Sequence, residues 1–141
     1  MLTSSPKPVS VGRQTPRLLQ LPDRAGSLGE EALDLWYLTG RKSDPWQELS
    51  LDALFSVDAF GLWACSEFGE LVSRQNGKGD VLSPAELAHL YLWPKPDGEP
   101  KTIVHTAHQF KTAREAFLKL QRAIKSSPAL MGEISKISTA H

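Results

Sequence analysis

Residues 73–79 read Ser73-Arg74-Gln75-Asn76-Gly77-Lys78-Gly79. Before them lies the short, β-compatible run Glu70-Leu71-Val72-Ser73, and after them an apolar stretch over 81–93 with helical character. A polar, glycine-containing turn between a strand and a helix is the context that a phosphate-binding loop requires. Backbone amides converge there at a helix N-terminus, and a lysine reaches the β and γ phosphates of a nucleotide. Against the general pattern G-x-x-x-x-G-K-[ST], Gly77 and Lys78 fit. Val72 stands where the first glycine belongs, and Gly79 stands where a hydroxyl would ligate magnesium. A Gly-Lys pair is also a common feature of ordinary polar turns, so spacing alone leaves both readings open.

Downstream, the stretch over 81–93 is apolar on most sides (Leu82, Ala85, Leu87, Leu90, Tyr91), which predicts a largely buried helix. Its start is ambiguous. Ser83-Pro84-Ala85-Glu86 is itself a capping box with proline at the first position, whereas a start at Lys78 would have to accommodate Pro84 inside the helix. Residues 94–100 form a turn-rich connector, and residues 102–107 are expected as a strand. Ala113, Ala116, Phe117, Leu120, Ala123 and Ile124 then mark one face of an amphipathic helix. Lys111, Arg114, Glu115, Lys119, Arg122 and Lys125 wet its other face, and Pro128 stops it. Residues 132–138 alternate weakly, as a strand does.

Upstream, Gly61-Leu62-Trp63-Ala64-Cys65-Ser66 and residues 70–73 flank Phe68-Gly69, which predicts a hairpin or two short strands. Asp44-Pro45 opens a helix expected to run to about Phe55 and to face inward through Trp46, Leu49 and Ala53. Before it, Ser27 and Glu30 have capping-box spacing at the head of a helix with Leu28, Ala32, Leu35 and Trp36 on one stripe and Gly40 as its stop. Residues 1–24 carry Pro6, Pro8, Pro16 and Pro22 with Lys7, Arg13, Arg17 and Arg24 against a lone Asp23, which predicts a flexible extended arm. Strand–helix alternation after two leading helices argues for an α/β fold with a parallel sheet, begun and not finished.

The chain has 141 residues, about one domain, with 16 basic and 16 acidic side chains. Zero net charge argues against a polybasic nucleic-acid binder. One cysteine, Cys65, excludes an internal disulfide and reads as a buried, inert thiol. Charged residues interrupt every apolar run, so no bilayer span is expected. His105 and His108 straddle an expected strand end without a nearby Cys or acidic partner, which argues against a metal pair.

The Ser-Arg-Gln-x-Gly-Lys run resembles the ATPase loop of the large terminase subunits of tailed bacteriophages, in particular those of phages of actinobacteria. Asp44-Pro45-Trp46-Gln47 is similar to the family's entry motif. Leu62-Trp63-Ala64, Phe68-Gly69 and Leu71-Val72 resemble the lead-in to the loop. His105-Thr106-Ala107 with Thr112-Ala113-Arg114-Glu115-Ala116-Phe117 resembles its second strand and helix. The resemblance spans residues 10–138. It implies a P-loop NTPase domain of the ASCE type, incomplete here, with a parallel sheet core, N-terminal helices and the flexible arm. The arm would be residues 1–24 and the first part of the ATPase domain residues 25–141, with the Walker A loop at 72–79.

By the same resemblance, Lys78 and Arg74 are the catalytic candidates. Lys78 would hold the β and γ phosphates, and Arg74 would stabilise charge in a loose transition state. Ser73, Gln75, Asn76, Gly77, Lys78 and Gly79 would cradle ATP, and Gln47 would read adenine with Trp46 packed nearby. Magnesium is implied with its ligands elsewhere, because Gly79 supplies none. The Asp-Glu strand that activates water, and the metal-dependent nuclease domain, are not among these 141 residues. The resemblance further implies phage DNA, a small terminase subunit and a portal as partners, a homo-oligomeric motor, and the host cytoplasm as its place of work. The contrasting expectation is a non-hydrolysing module that only binds nucleotide or a partner. A small nucleotide kinase would need an arginine-rich lid, which is not found.

Overall fold

The computed structural model describes residues 12–73, 76–93, 95, 97–99 and 101–134. In chain order the elements are β1 (Gly26–Ser27), α1 (Gly29–Tyr37), α2 (Pro45–Leu54), β2 (Ser56–Val57), α3 (Gly79–Tyr91), α4 (Phe110–Lys125) and α5 (Pro128–Gly132). The sheet among the described residues is two-stranded and antiparallel, with Gly26 opposite Val57 and Ser27 opposite Ser56.

Helix α3 is the hub. It packs against α1, α2 and α4. One apolar cluster joins Leu35 and Trp36 of α1 to Leu87 of α3, to Leu120, Ala123 and Ile124 of α4, and to Leu130 of α5. A second joins Ala32, Leu51, Phe55, Val81, Ala85 and Ala88. The contact between α1 and α2 is so close that a Cβ on Gly29 would lie 2.6 Å from the Asp52 Cα, so only glycine fits there.

The ambiguity at α3 resolves in favour of the earlier start. The helix begins at Gly79 and carries Pro84 inside it. Pro84 removes the amide that would bond the Asp80 carbonyl, while the Ser83 hydroxyl donates to the Gly79 carbonyl at 3.0 Å. Burial of Val81, Pro84, Ala85, Leu87 and Ala88 outweighs that local loss. Leu82 and Leu90 remain about half exposed, so α3 is less completely covered than its composition suggests.

Other expectations shift for identifiable reasons. Ser27 does not form the capping box with Glu30. It lies in β1, its hydroxyl donates to the Asp52 carbonyl at 2.7 Å and accepts the Gly29 amide at 3.0 Å, and Leu28 caps α1. Pro128 does end α4, and it also opens α5, so Gly132 is helical and not the first residue of a strand. Residues 135–138 of that expected strand lie outside the described residues.

The hairpin expected over 61–73 is not formed among the described residues; Trp63 instead makes one isolated antiparallel bridge back to Val57, across a tight reversal with Gly61 at φ +77°. Residues 102–107 have no strand partner among the described residues. They are tied to α3 by His105, whose Nδ1 lies 2.5 Å from the Glu86 carboxylate. A strand exists only through hydrogen bonds to a partner strand, and a parallel sheet needs both faces covered as well; the described residues supply no such partner for 102–107. The parallel sheet expected from strand–helix alternation is therefore not formed among them.

The described part of the proline-rich arm lies against α2. Gln14 accepts the Trp46 amide at 3.4 Å, and Arg24 pairs with Asp52 at 2.7 Å. Residues 1–11 of that arm are outside the described residues.

Candidate functional site

The polar loop ends at the N-terminus of a 13-residue helix, as a phosphate-binding loop requires. Gly77 adopts φ +75°, a left-handed conformation that a β-carbon strains. This turn brings its carbonyl into position to accept the Asp80 amide at 2.8 Å. Lys78 follows as the N-cap, exposed and helical in φ and ψ. Gly79 is the first helical residue, and Val81 closes the first turn by donating to the Lys78 carbonyl at 3.0 Å.

Two motifs separated by thirty residues of sequence meet here. Gln47, in the first turn of α2, is only 5% exposed. Its Oε1 accepts the Asp44 amide at 2.7 Å, and its Nε2 donates to the Gly77 carbonyl at 3.1 Å. One side chain thereby closes the N-terminus of α2 and braces the loop. The space beside Gly77 is filled as well. A Cβ there would lie 3.1 Å from Gln47 Nε2 and 3.4 Å from Asp80 Oδ2. With one bond at each end of its amide, Gln47 braces the loop; the adenine-reading role that the resemblance implies for it would use the remaining Nε2 hydrogen and Oε1 lone pair.

Ser73 and Asn76 are exposed on either side of Arg74 and Gln75, and those two lie outside the described residues. Asn76 lines a cavity of about 620 Å³ walled by Trp46, Leu49, Ala53, Phe68 and the arm residue Leu21. Its lining is mixed, with Arg13, Gln20, Ser50, Glu67 and Glu70 among the apolar side chains, and it reaches the loop at Asn76. Cys65 also lines it and is half-buried, not sealed in the core.

Three features were not anticipated from the residues. Lys119, assigned to the wet face of α4, forms an ion pair with Asp80 in the first turn of α3. Phe55, Trp63, His89 and Trp93 form a cluster in which every pair of rings lies within 5.8 Å. Burial, and secondarily the nearby Lys101 charge, push the His89 imidazole below its ordinary value. The spacing of His89 and Trp93 was a legible signal for part of this cluster, since residues four apart share a helical face. Finally, the Tyr37 hydroxyl donates to Glu48 at 2.8 Å, and burial first and that carboxylate second push it up to about 12.

No cluster of three or more His, Cys, Asp or Glu side chains able to hold a metal is present among the described residues. No helix is long and apolar enough to cross a membrane among them. No family model, curated protein or solved structure matches the chain.

Proposed function

We propose that the chain is a nucleotide-binding module, the front part of the P-loop ATPase domain of a tailed-phage large terminase. The observation that carries this reading is the hydrogen bond from Gln47 to the Gly77 carbonyl. It joins the Asp-Pro-Trp-Gln entry motif to the Gly-Lys loop at the head of α3. Two separate motifs of the resemblance thus meet at one anion-favouring helix terminus.

In this reading Lys78, exposed at the N-cap, holds the β and γ phosphates as a point charge, and the turn at Gly77 keeps the backbone close to them. Arg74 stabilises charge during hydrolysis. The cavity beside Asn76 and Trp46 takes the base and sugar of ATP, its walls suiting a planar heterocycle with a polar edge. Magnesium, when bound, neutralises the phosphate oxygens. Residues 102–107, which have no strand partner among the described residues, become a sheet strand once neighbouring strands of a larger ATPase domain flank them. Phage DNA, a small subunit and a portal are the partners of the assembled homo-oligomeric motor, which works in the host cytoplasm.

The second reading is a module that binds nucleotide without hydrolysing it. Gly79, which carries no hydroxyl, favours it for this polypeptide by itself. Titration of the full chain with a fluorescent ATP analogue tests the shared claim. Saturable binding, lost on Lys78→Ala and competed by ATP, is expected. Absence of binding, or binding that Lys78→Ala leaves intact, refutes both readings.

A further inference from the structure

The proline-rich arm is held to α2 and β2 at two points of very unequal strength. At its inner end, Arg24 donates to the Asp52 carboxylate at 2.7 Å, to the Asp52 carbonyl at 3.1 Å and to the Ser56 hydroxyl at 3.3 Å. The Ala25 amide adds a bond to the Val57 carbonyl at 2.8 Å. At its outer end the described residues supply a single bond across to α2, from the Trp46 amide to Gln14 Oε1 at 3.4 Å. That is longer than the usual N–H···O range of about 2.7–3.2 Å. Residues 15–23 between these anchors make no hydrogen bond to another described residue, and none of them is buried. The segment also has slack. Trp46 and Asp52 stand about 9 Å apart along α2 at 1.5 Å per residue, whereas the chain from 14 to 24 can extend to about 33 Å.

The surplus bows over the cavity of about 620 Å³, forming one wall with Leu19, Leu21 and Pro22 opposite Trp46, Leu49 and Ala53 of α2. Leu18 and Leu19 line it too, yet they are 86% and 50% exposed, so apolar surface on the arm remains to be covered. We infer that residues 14–24 are a hinged strap over the base of a bound nucleotide, with Arg24 and Ala25 as its hinge and Gln14 as its latch. The inference rests on the nucleotide-binding reading above, which puts base and sugar in this cavity. A base seated there takes the apolar side chains of the strap out of water and so favours the closed state. Opening breaks one long bond at the latch and leaves the hinge bonds in place. Pro16 and Pro22 restrict the backbone between them, so the segment lifts as a stiff piece. The latch is also tied to the loop. Gln14 holds the Trp46 amide and the next residue, Gln47, holds the Gly77 carbonyl, so one turn of α2 carries both strap and loop.

A static wall behaves differently from a strap, which allows a clean test. Stopped-flow mixing of the full chain with a fluorescent ATP analogue gives association and release rates for wild type, Gln14→Ala and Lys78→Ala. Tryptic cleavage after Arg17, with and without saturating ATP, reads the strap itself. Hydrogen exchange at the Trp46 amide gives a second readout. That amide lies in the first turn of α2, where no intrahelical partner exists, so its protection depends on Gln14.

Loss of one ordinary hydrogen bond shifts an equilibrium roughly 2- to 10-fold. Gln14→Ala is therefore expected to speed association and release together by about that factor, with little change in Kd, because both need the open strap. In wild type, ATP should slow both cleavage after Arg17 and exchange of the Trp46 amide. Unchanged rates in Gln14→Ala, or faster release with association unaltered, would make the arm a static wall and overturn the inference. Cleavage and exchange that saturating ATP does not slow would overturn it as well. Those results leave Lys78-dependent binding in place. Failure of the wild type to bind nucleotide, or insensitivity to Lys78→Ala, is a different outcome that removes the underlying reading, and the inference with it.

Discussion

Replacement of Gln47 by leucine tests the brace directly. The side chain is 5% exposed and its amide makes two bonds, to the Asp44 amide at 2.7 Å and to the Gly77 carbonyl at 3.1 Å. Leucine fills a similar volume and makes neither. Each such bond is worth a net ~0.5–1.5 kcal/mol. Gly77 keeps its bond from the Asp80 amide at 2.8 Å, and Asp44 is exposed enough for water to replace its partner. The expected loss for Gln47→Leu is therefore ~1.5 kcal/mol, or a melting temperature lower by ~3–6 °C in a chain of this size.

Gln47→Glu separates the two bonds. An ionised glutamate still accepts from the Asp44 amide but turns a negative oxygen on the Gly77 carbonyl, so the loss at pH 7 should exceed that of leucine. Protonation restores a donor. The folded-state pKa of the introduced acid is raised, so its penalty relative to wild type should shrink as the pH falls toward 5. Urea unfolding followed by tryptophan fluorescence reads both variants. Losses below ~0.5 kcal/mol, the range of unremarkable surface changes, would refute the brace, as would a pH-independent penalty for Gln47→Glu.

Two further outcomes are expected. Gly29→Ala places a methyl 2.6 Å from the Asp52 Cα, where backbone faces it. Despite the ~1 kcal/mol helix-propensity gain of alanine over glycine, a net loss of ~2 kcal/mol is expected in urea unfolding, whereas a gain would contradict the close α1–α2 contact. The His89 imidazole is held below its ordinary value of 6.5 by burial and by Lys101. The depressed value means that the unfolded chain takes up this proton first as pH falls. The stability tied to the neutral ring is thus fully present above pH 6.5 and declines below it. The urea midpoint should drop between pH 7 and pH 5, and His89→Phe should flatten that part of the profile; an equal drop in the variant would assign it to other groups.

Local chemistry made some elements legible from sequence. Asp44-Pro45 opens α2 as its residue types require, and the basic amphipathic run became α4 over Phe110–Lys125. The Gly-Lys pair does sit at a helix start. At Pro84 two local signals conflicted, and burial against α1 and α2 decided between them, a quantity that no local window contains. The expected strands failed for the same reason. The runs over 61–73 and 102–107 are β-compatible, but a strand is defined by its partner, and their sequence does not say whether one is present.

The site followed the same division. Gly77 and Lys78 were readable as a motif, whereas the role of Gln47 depended on a contact with the carbonyl of a residue 30 positions away. Lys119 looked like any solvated lysine on a wet helical face. Only the packing of α4 on α3 brings it to Asp80. On α4, Leu120, Ala123 and Ile124 are buried as the periodicity suggests, while Phe117 stays 43% exposed because no described element covers the start of that face.

The most direct test of the central claim is an amide chemical-shift titration of the uniformly labelled chain with ATP. Saturable shifts are expected at the backbone amides of Gly77, Lys78, Gly79 and Asp80, with a concurrent shift of the Gln47 side-chain amide that reports the loop through its bond to Gly77. These shifts should be lost together in Lys78→Ala while the rest of the spectrum is preserved. Shifts scattered over other surfaces, or none at all, would contradict a phosphate-binding role for this loop.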